Sequence, residues 1–280
     1  MSSNPKVNLK DTIYVSSPEY YSIEYKINHW MNSNQKIDKP KAINQWNKFV
    51  KVLNLAGANV IALSAGIHPD TVFIADAGII INNDFLLSNF KHPERHVERN
   101  HWISIAESMG YNIIQLPAEM IMEGTGDCLI GNKYAFLGIG NRSNGINNNF
   151  IEQHLQRKVI PLQIDKSDFF HLDTCMAYIA DSLAIIYHDA ISPESRKDIE
   201  KIAKVLYIDE DEAYNFAANM IEVNHNIIIQ QGNIKIIKKL SSLGFNILEV
   251  DTSEFIKSGG SCKCLSLRKY SSKNQAFLNS

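Results

Sequence analysis

The feature that most constrains the fold is a layout that recurs along the chain: an amphipathic helical stretch, a turn, an apolar strand, a polar segment, then apolar strand again. In the first copy, Ile43, Trp46, Phe49, Val50, Leu53 and Leu55 mark one face of a helix over 41–56, and Gly57 supplies its stop. A strand at 59–63, a polar segment at Pro69-Asp70 and a strand at 78–81 follow. The second copy reads as helix 94–109 ending at Gly110, strand 112–116, polar segment 123–127 and strand 134–137. The third has a helical lead at 150–157, strand 158–162, a polar segment at His171, and strands 175–179 and 182–187. The fourth has helix 193–205, strand 206–208, a plain polar segment at 215–219, and strands 220–223 and 226–230. The fifth has helix 233–243 with a stop at Gly244, strand 246–250 and a polar segment at Cys264. The units fall at 41–93, 94–149, 150–192, 193–232 and 233–280, after an N-terminal segment 1–40, in one domain over 1–280. A spacing of about 45–50 residues suits closed or stacked repeat architectures. The mixture of helix and strand excludes blades made of strands alone. A ring of five such units would aim every polar segment at one axis, so residues as distant as Asp76 and Cys264 would meet. An ordinary α/β sheet whose motifs only look periodic is the alternative.

Composition narrows the classes of function. Of 280 residues, 45% are hydrophobic and 21% charged, as in a globular protein with a sizeable core. Lys plus Arg is 28 against 30 for Asp plus Glu, a net charge of −2, so there is no electrostatic case for nucleic acid or an anionic membrane. No apolar run approaches the roughly 20 residues of a membrane helix, and residues 1–11 are polar, without the apolar core of a signal peptide. Cys128, Cys175, Cys262 and Cys264 show no CxxC spacing, so neither a zinc site nor a disulfide framework is expected, and a reducing cytoplasm is the expected setting. Cys262 and Cys264 would share one face of a strand. A regulatory bond between them is conceivable; a bystander role for Cys262 is the simpler reading.

The polar segments carry the chemistry. In Gly259-Gly260-Ser261-Cys262-Lys263-Cys264-Leu265-Ser266-Leu267, a Gly-Gly turn delivers Cys264 onto the first position of a short apolar strand. A free cysteine is more often a small buried hydrophobe. This one is accompanied by Pro69-Asp70-Thr71-Val72-Phe73-Ile74-Ala75-Asp76, by Glu123-Gly124-Thr125-Gly126-Asp127 and by His171-Leu172-Asp173-Thr174. A thiol, a histidine and several carboxylates are the parts of a cysteine nucleophile acting on a cationic substrate.

These motifs, in this order, resemble the guanidino-group-modifying enzymes of the pentein superfamily: arginine deiminases, dimethylarginine dimethylaminohydrolases, and glycine or inosamine amidinotransferases. The resemblance runs from Ser17-Pro18-Glu19-Tyr20 and Ile27-Asn28-His29-Trp30-Met31, through the segments above and Gly138-Ile139-Gly140-Asn141-Arg142-Ser143, to Cys264-Leu265-Ser266-Leu267. It implies an α/β fold, a five-bladed αβ propeller of pseudo-fivefold ββαβ repeats around a central site. It implies Cys264 as nucleophile on a guanidino carbon through a covalent thiouronium, and His171 as acid and then base. Asp76 and Asp173 would grip the guanidinium; otherwise they are a turn residue and a solvated strand end. On a strand, 171 and 173 would point to one face. Glu123 would orient His171, with Asp127 as the competing candidate. Arg95 and Arg142 are candidates for a substrate carboxylate, although Arg95 also reads as one charge of a solvated helix beside Glu94, Glu98 and Arg99. Asp70 would support the site or contact the polar end of the substrate, and Asn28 would sit at the rim.

The implied activity is hydrolysis of arginine or an N-methylated arginine to citrulline, without cofactor or metal, in a possible homo-oligomer whose partner is a small guanidino substrate. Transfer of the amidino group to an amine, or a dihydrolase reaction giving ornithine, are alternatives. In dihydrolase-like relatives the first motif typically ends Ala-Asn-Ala-Gly; here it is Ala75-Asp76-Ala77-Gly78, which argues mildly against that reaction. Asp173 is more typical of deiminases and amidinotransferases, and the length matches the compact dimethylaminohydrolases. A non-catalytic pentein is the reading of another class.

Overall fold

The computed structural model describes residues 11–272. Of the polar stretch 1–11, only Asp11 is among them, and the end of the fifth repeat, 273–280, also lies outside the described residues. Fifteen strands are described: β1 (Thr12–Ser16), β2 (Asn59–Leu63), β3 (Gly78–Ile81), β4 (Asp84–Leu87), β5 (Asn112–Gln115), β6 (Cys128–Ile130), β7 (Tyr134–Ile139), β8 (Lys158–Gln163), β9 (Met176–Ile179), β10 (Leu183–Tyr187), β11 (Lys204–Ile208), β12 (Ile221–Val223), β13 (Asn226–Gln230), β14 (Asn246–Val250) and β15 (Leu267–Tyr270).

They form a mixed α/β fold in which one pairing rule recurs. An antiparallel hairpin takes a third strand in parallel, after a helical crossover. This holds for β3-β4-β5, β6-β7-β8, β9-β10-β11 and β12-β13-β14. The fifth instance joins the chain ends: β15 pairs antiparallel with β1, and β1 parallel with β2. β15 also pairs with β3, so two of these sets share a six-stranded sheet.

The helices follow the apolar periodicity. The first, Lys39–Leu55, starts where the Asp38 side chain accepts from the Lys41 N–H, and it buries Ala42, Gln45, Phe49 and Leu53 along one stripe. It ends before Gly57, whose φ of 97° suits glycine. Three of the later helices are shorter than their apolar patterns suggest, while that of the third repeat, Asn148–Leu155, keeps its length two residues earlier. The stretch 94–109 is divided into Pro93–His96 and Glu98–Ser108, and 193–205 ends at Glu200 because Lys204 onward pairs with β10. Strands 59–63, 78–81, 226–230 and 246–250 lie where the pattern puts them, to the residue.

Two differences are instructive. The sequence repeat begins at each helix, but the pairing begins at each hairpin, so every set takes its last strand from the following repeat. A periodic pattern has no intrinsic starting point; only the pairing supplies one. β1 also lies within 1–40, a segment to which no strand is assigned on pattern, and it becomes the middle strand of its set because β15 and β2 flank it.

Candidate active site

The polar segments fold as tight turns, each just ahead of the first strand of a hairpin. Residues 74–77, 124–127 and 172–175 are single helical turns, and 262–265 is a turn that ends before β15. Two expectations are corrected here. Cys264 does not open a strand, since β15 begins at Leu267. His171 and Asp173 do not lie along a strand either: His171 is extended (φ −119°, ψ 157°), and its carbonyl accepts from the N–H and Oγ1 of Thr174, which turns Asp173 into a helical turn. Short polar side chains that bond nearby backbone favour such turns over strand.

Each turn is tied to the next. Thr125 Oγ1 donates to Ala75 O (3.1 Å), and His171 Nε2 meets Glu123 Oε2 (2.9 Å). Asn219 Nδ2 donates to Asp173 O (3.0 Å). Lys263 N donates to Asn219 O and Ala75 N to Cys264 O, both at 3.1 Å. Residues spread over 190 positions of sequence are thereby fixed around one narrow cavity. It has about 270 Å³ of empty space. Asp70, Asp76, Arg95, Arg142, His171 and Cys264 line it, with Phe73 and Phe170 as apolar walls and Asn28 and Gly259 among its lining. A larger cavity, with about 1430 Å³ of empty space on the same measure, holds neither Cys264 nor His171, and its Arg268 is paired with Asp11.

Glu123 is the carboxylate in contact with His171, and its Oε2 also accepts from Arg142 Nη1 (2.8 Å). Asp127 instead accepts from the Glu123 N–H (2.8 Å), so it braces the residue that touches His171. His171 Nδ1 lies 3.5 Å from Asp76 Oδ1. Arg95 pairs with Asp76 Oδ2 (2.5 Å) and grips Glu98 through Nε and Nη2 (2.7 and 3.0 Å). It is 3% exposed, which removes the solvated-helix reading. Asp173 is buried too, so it is not a solvated strand end, and Asp76 is a turn residue, as its plainer reading had it, but a buried one. Arg142 also donates to Ile27 O and stacks on Phe170. Asp70 accepts from Tyr25 Oη (2.8 Å). Asn28 accepts from the N–H groups of Trp30 and Met31 and donates to Ser258 O, which ties the N-terminal segment to the glycine turn. Cys264 Sγ lies 3.1 Å from Asn219 Nδ2 and 3.4 Å from Asp173 Oδ2. Cys262 is a free, fully buried thiol like Cys128 and Cys175, and all four cysteines are unpaired.

Four buried polar atoms of this cluster have no partner: Oδ1 of Asp70, of Asp76 and of Asp173, and Nε of Arg142. Buried polar groups are nearly always paired, so three carboxylate oxygens and one donor without hydrogen bonds, Asp76 Oδ1 having only the ion-pair contact with His171, mark a place built for a ligand that carries cationic N–H groups and an anionic or polar end.

The electrostatics agree. Burial raises Asp70 and Asp173 to about 6 despite nearby Arg95 and Lys263. Burial opposes the charge of His171, but Asp76, Asp127 and Glu123 outweigh it and lift the ring to about 9. Burial likewise opposes ionised Glu123, yet Arg142 and His171 hold it well below the usual carboxylate range. Asp127 is pushed up to about 8 by burial and by Glu123. Burial, Asp173 and Asp76 all push the Cys264 thiol far up, so it is neutral without a cation beside it. Asp76, Glu123 and His171 offer ligand atoms within 4.8 Å of one another, a possible metal set, but Arg95 and Arg142 already neutralise the two carboxylates.

Pattern reading passed over Asn219 and Lys263. Lys263 Nζ donates to Thr125 Oγ1 (2.8 Å) beside the cysteine loop. The signal for Asn219 was present: 215–219 occupies the place in the layout that the acids occupy elsewhere. Gly126 is a second silent requirement, because a Cβ there would come within 2.3 Å of Asp76 Oδ1 and 3.0 Å of His171 Nδ1. Gly126→Ala should therefore cut kcat/KM about 100-fold or more, since displacing a reacting group by about 1 Å has that effect, with the fold retained by circular dichroism.

Comparison with known proteins gives the family. A model of the family described as "N,N dimethylarginine dimethylhydrolase, eukaryotic" matches residues 17–268. The bifunctional arginine dihydrolase/ornithine cyclodeaminase AgrE of Nostoc sp. is 33% identical over 258 residues, 90% of this chain and 37% of AgrE, so the chain spans little more than a third of that relative. The N(G),N(G)-dimethylarginine dimethylaminohydrolase of Mycobacterium tuberculosis is 27% identical, over 90% of this chain and 84% of that protein. The solved N-terminal domain of ArgZ, a cyanobacterial arginine dihydrolase bound to product, superposes with a TM-score of 0.89 at 30% identity, covering 95% of this chain and 100% of that domain. On the match over 17–268, the chain belongs to the N,N dimethylarginine dimethylhydrolase family, within the guanidino-group-modifying penteins.

Proposed function

We propose that the chain hydrolyses the guanidino group of arginine or an N-methylated arginine, giving citrulline through a covalent intermediate on Cys264. The observation that carries this is a set of three buried carboxylate oxygens without hydrogen-bond partners, on Asp70 and Asp76, which line the cavity with Cys264 and His171, and on Asp173 beside the thiol. A planar guanidinium supplies paired N–H donors to such oxygens. Its charge also offsets the two aspartates that keep the thiol protonated, so binding favours the thiolate. Sγ then bonds to the guanidino carbon. The C–N bond to ammonia or the alkylamine breaks, and His171 gives the leaving nitrogen its proton. Glu123 holds Nε2, leaving Nδ1 to move the proton. Neutral His171 next takes a proton from water, whose oxygen bonds to the thiouronium carbon as the C–S bond breaks, releasing citrulline and Cys264. Arg142, with Nε free and Nη1 on Glu123, would meet the substrate carboxylate while holding the histidine's partner; Arg95 presents Asp76.

The five like strand sets and the linked turns support a further part of the reading, a five-bladed αβ propeller with the site at its centre. Among the described residues no helix is long and apolar enough to cross a membrane, in keeping with the cytoplasmic setting proposed from the free thiols.

Dihydrolase chemistry is the second reading, favoured by the 33% identity to AgrE against 27% to the dimethylaminohydrolase; Asp76 speaks against it. Mass analysis after incubation with arginine, N-methylated arginines, agmatine and guanidinoacetate separates them. Citrulline with ammonia or methylamine is expected. Ornithine would establish the dihydrolase, amidino transfer to an added amine would establish the transferase, and no product from any substrate would overturn the hydrolase.

A further inference from the structure

We propose that Asn219 is the thiolate-holding residue of the site, its side-chain amide serving Cys264 as an oxyanion hole serves an oxygen. This rests on the reading of Cys264 as nucleophile. Asn219 is fully buried, and both ends of its amide are committed. Oδ1 accepts from the backbone N–H groups of Lys263 (3.0 Å) and Cys264 (3.3 Å). Nδ2 donates to Asp173 O (3.0 Å) and to Cys264 Sγ (3.1 Å). The two backbone donors settle which end is oxygen, so the donor faces the sulfur whatever the thiol's protonation.

The other polar neighbour of Sγ is Asp173 Oδ2 at 3.4 Å, an acceptor that favours S–H. Of these two side-chain contacts, only Asn219 favours S⁻. A donor to the charged form lowers its pKa, and here it acts where burial, Asp173 and Asp76 all push the other way.

The backbone supplies an independent observation. Phe216, three residues earlier, holds φ at 58° although it is bulky and fully buried, and Asn219 N donates to Phe216 O (3.0 Å). A left-handed phenylalanine is a conformation that surrounding structure must enforce. Packing of its ring on Trp30, with centroids 4.9 Å apart, does so, and the turn that results directs Asn219 at Cys264.

The test is the pH profile of Cys264 alkylation by iodoacetamide, with Cys264 and Cys262 resolved by tandem mass spectrometry, in wild type, Asn219→Asp and Asn219→Ser. Aspartate keeps the oxygen that receives the two backbone N–H groups and replaces the donor at sulfur with an acceptor. Serine is too short to reach the sulfur. The midpoint should rise by about one pH unit or more in Asn219→Asp, about a tenfold slower reaction below the midpoint, and by less in Asn219→Ser. Because Asn219→Asp also adds a charge that raises the thiol by itself, the uncharged Asn219→Ser decides: a purely structural role would lower its melting temperature and leave its midpoint in place, and an unmoved midpoint in folded Asn219→Ser overturns the proposal. Should neither variant fold, the side-chain amide resonances of 15N-labelled wild type decide: no asparagine amide signal changing on alkylation of Cys264 overturns it equally. If instead Cys264→Ser retained turnover, the nucleophile reading would fail while the alkylation profile still reported on the amide contact.

Discussion

Replacing Cys264 by serine should reduce turnover to background, on the order of 10⁶-fold as for loss of other covalent nucleophiles, while the protein stays folded. Serine nearly preserves the shape of the side chain, and Asn219 Nδ2 and Asp173 Oδ2 can still bond a hydroxyl, so neither is orphaned. The hydroxyl titrates far above a thiol, and one guanidinium in the cavity does not close that gap. Cys262→Ser is the matched control. That thiol is fully buried, pushed up to about 12 by burial, and its side-chain neighbour is Ser261 Oγ at 3.8 Å rather than His171 or a carboxylate. It should keep most activity and lose some stability, because a hydroxyl replaces a buried apolar sulfur. Steady-state product formation and thermal melts on both variants provide the measurement. An inactive Cys262 variant beside an active Cys264 variant would reverse the assignment.

Much of this site was legible because its chemistry is carried by residue types rare inside apolar layouts. Asp76, Glu123, His171 and Cys264 stand out in sequence; Asp76, His171 and Cys264 meet in one cavity with Asp70, Arg95 and Arg142, and Glu123 lies behind it on His171 and Arg142. What stayed hidden depends on pairing. The role of β1 is invisible in 1–40, since its flanking strands come from 59–63 and 267–270. Whether Glu123 or Asp127 reaches His171 depends on which side of one helical turn faces inward, a matter of a single residue's rotation that spacing does not resolve. Arg95 reads as a surface charge because its neighbours in sequence are charged; the burial comes from Asp76 and Glu98 closing over its guanidinium. Asn219 was hidden for the opposite reason. Asparagine is ordinary in a turn, and only its equivalence to the acids of the other turns marks it.

Glu123→Gln should have the second large effect, on stability and on pH dependence together. In the wild type, kcat/KM should rise as Asp70 and Asp173 ionise through about 6 and fall as His171 loses its proton through about 9. Glu123 Oε2 serves two cations at once, Arg142 at 2.8 Å and His171 at 2.9 Å. Glutamine removes the charge from both. Arg142 is 1% exposed, so losing its anionic partner leaves a buried guanidinium uncompensated, a cost of about 3–5 kcal/mol. His171 loses one of three carboxylates that hold it charged, so its pKa falls and the alkaline limb of the rate profile moves toward neutrality. The linkage to stability has a definite sign. A histidine whose folded pKa of about 9 lies above its ordinary value stabilises the fold fully at pH below that ordinary value, and the contribution disappears as pH rises through about 9. In the variant that loss is complete at lower pH. Urea melts across pH 6–10, run beside rate profiles, check both consequences. A variant with wild-type stability and an unmoved alkaline limb would show that Glu123 neither anchors Arg142 nor orients His171, and Asp127 would then be the carboxylate to replace.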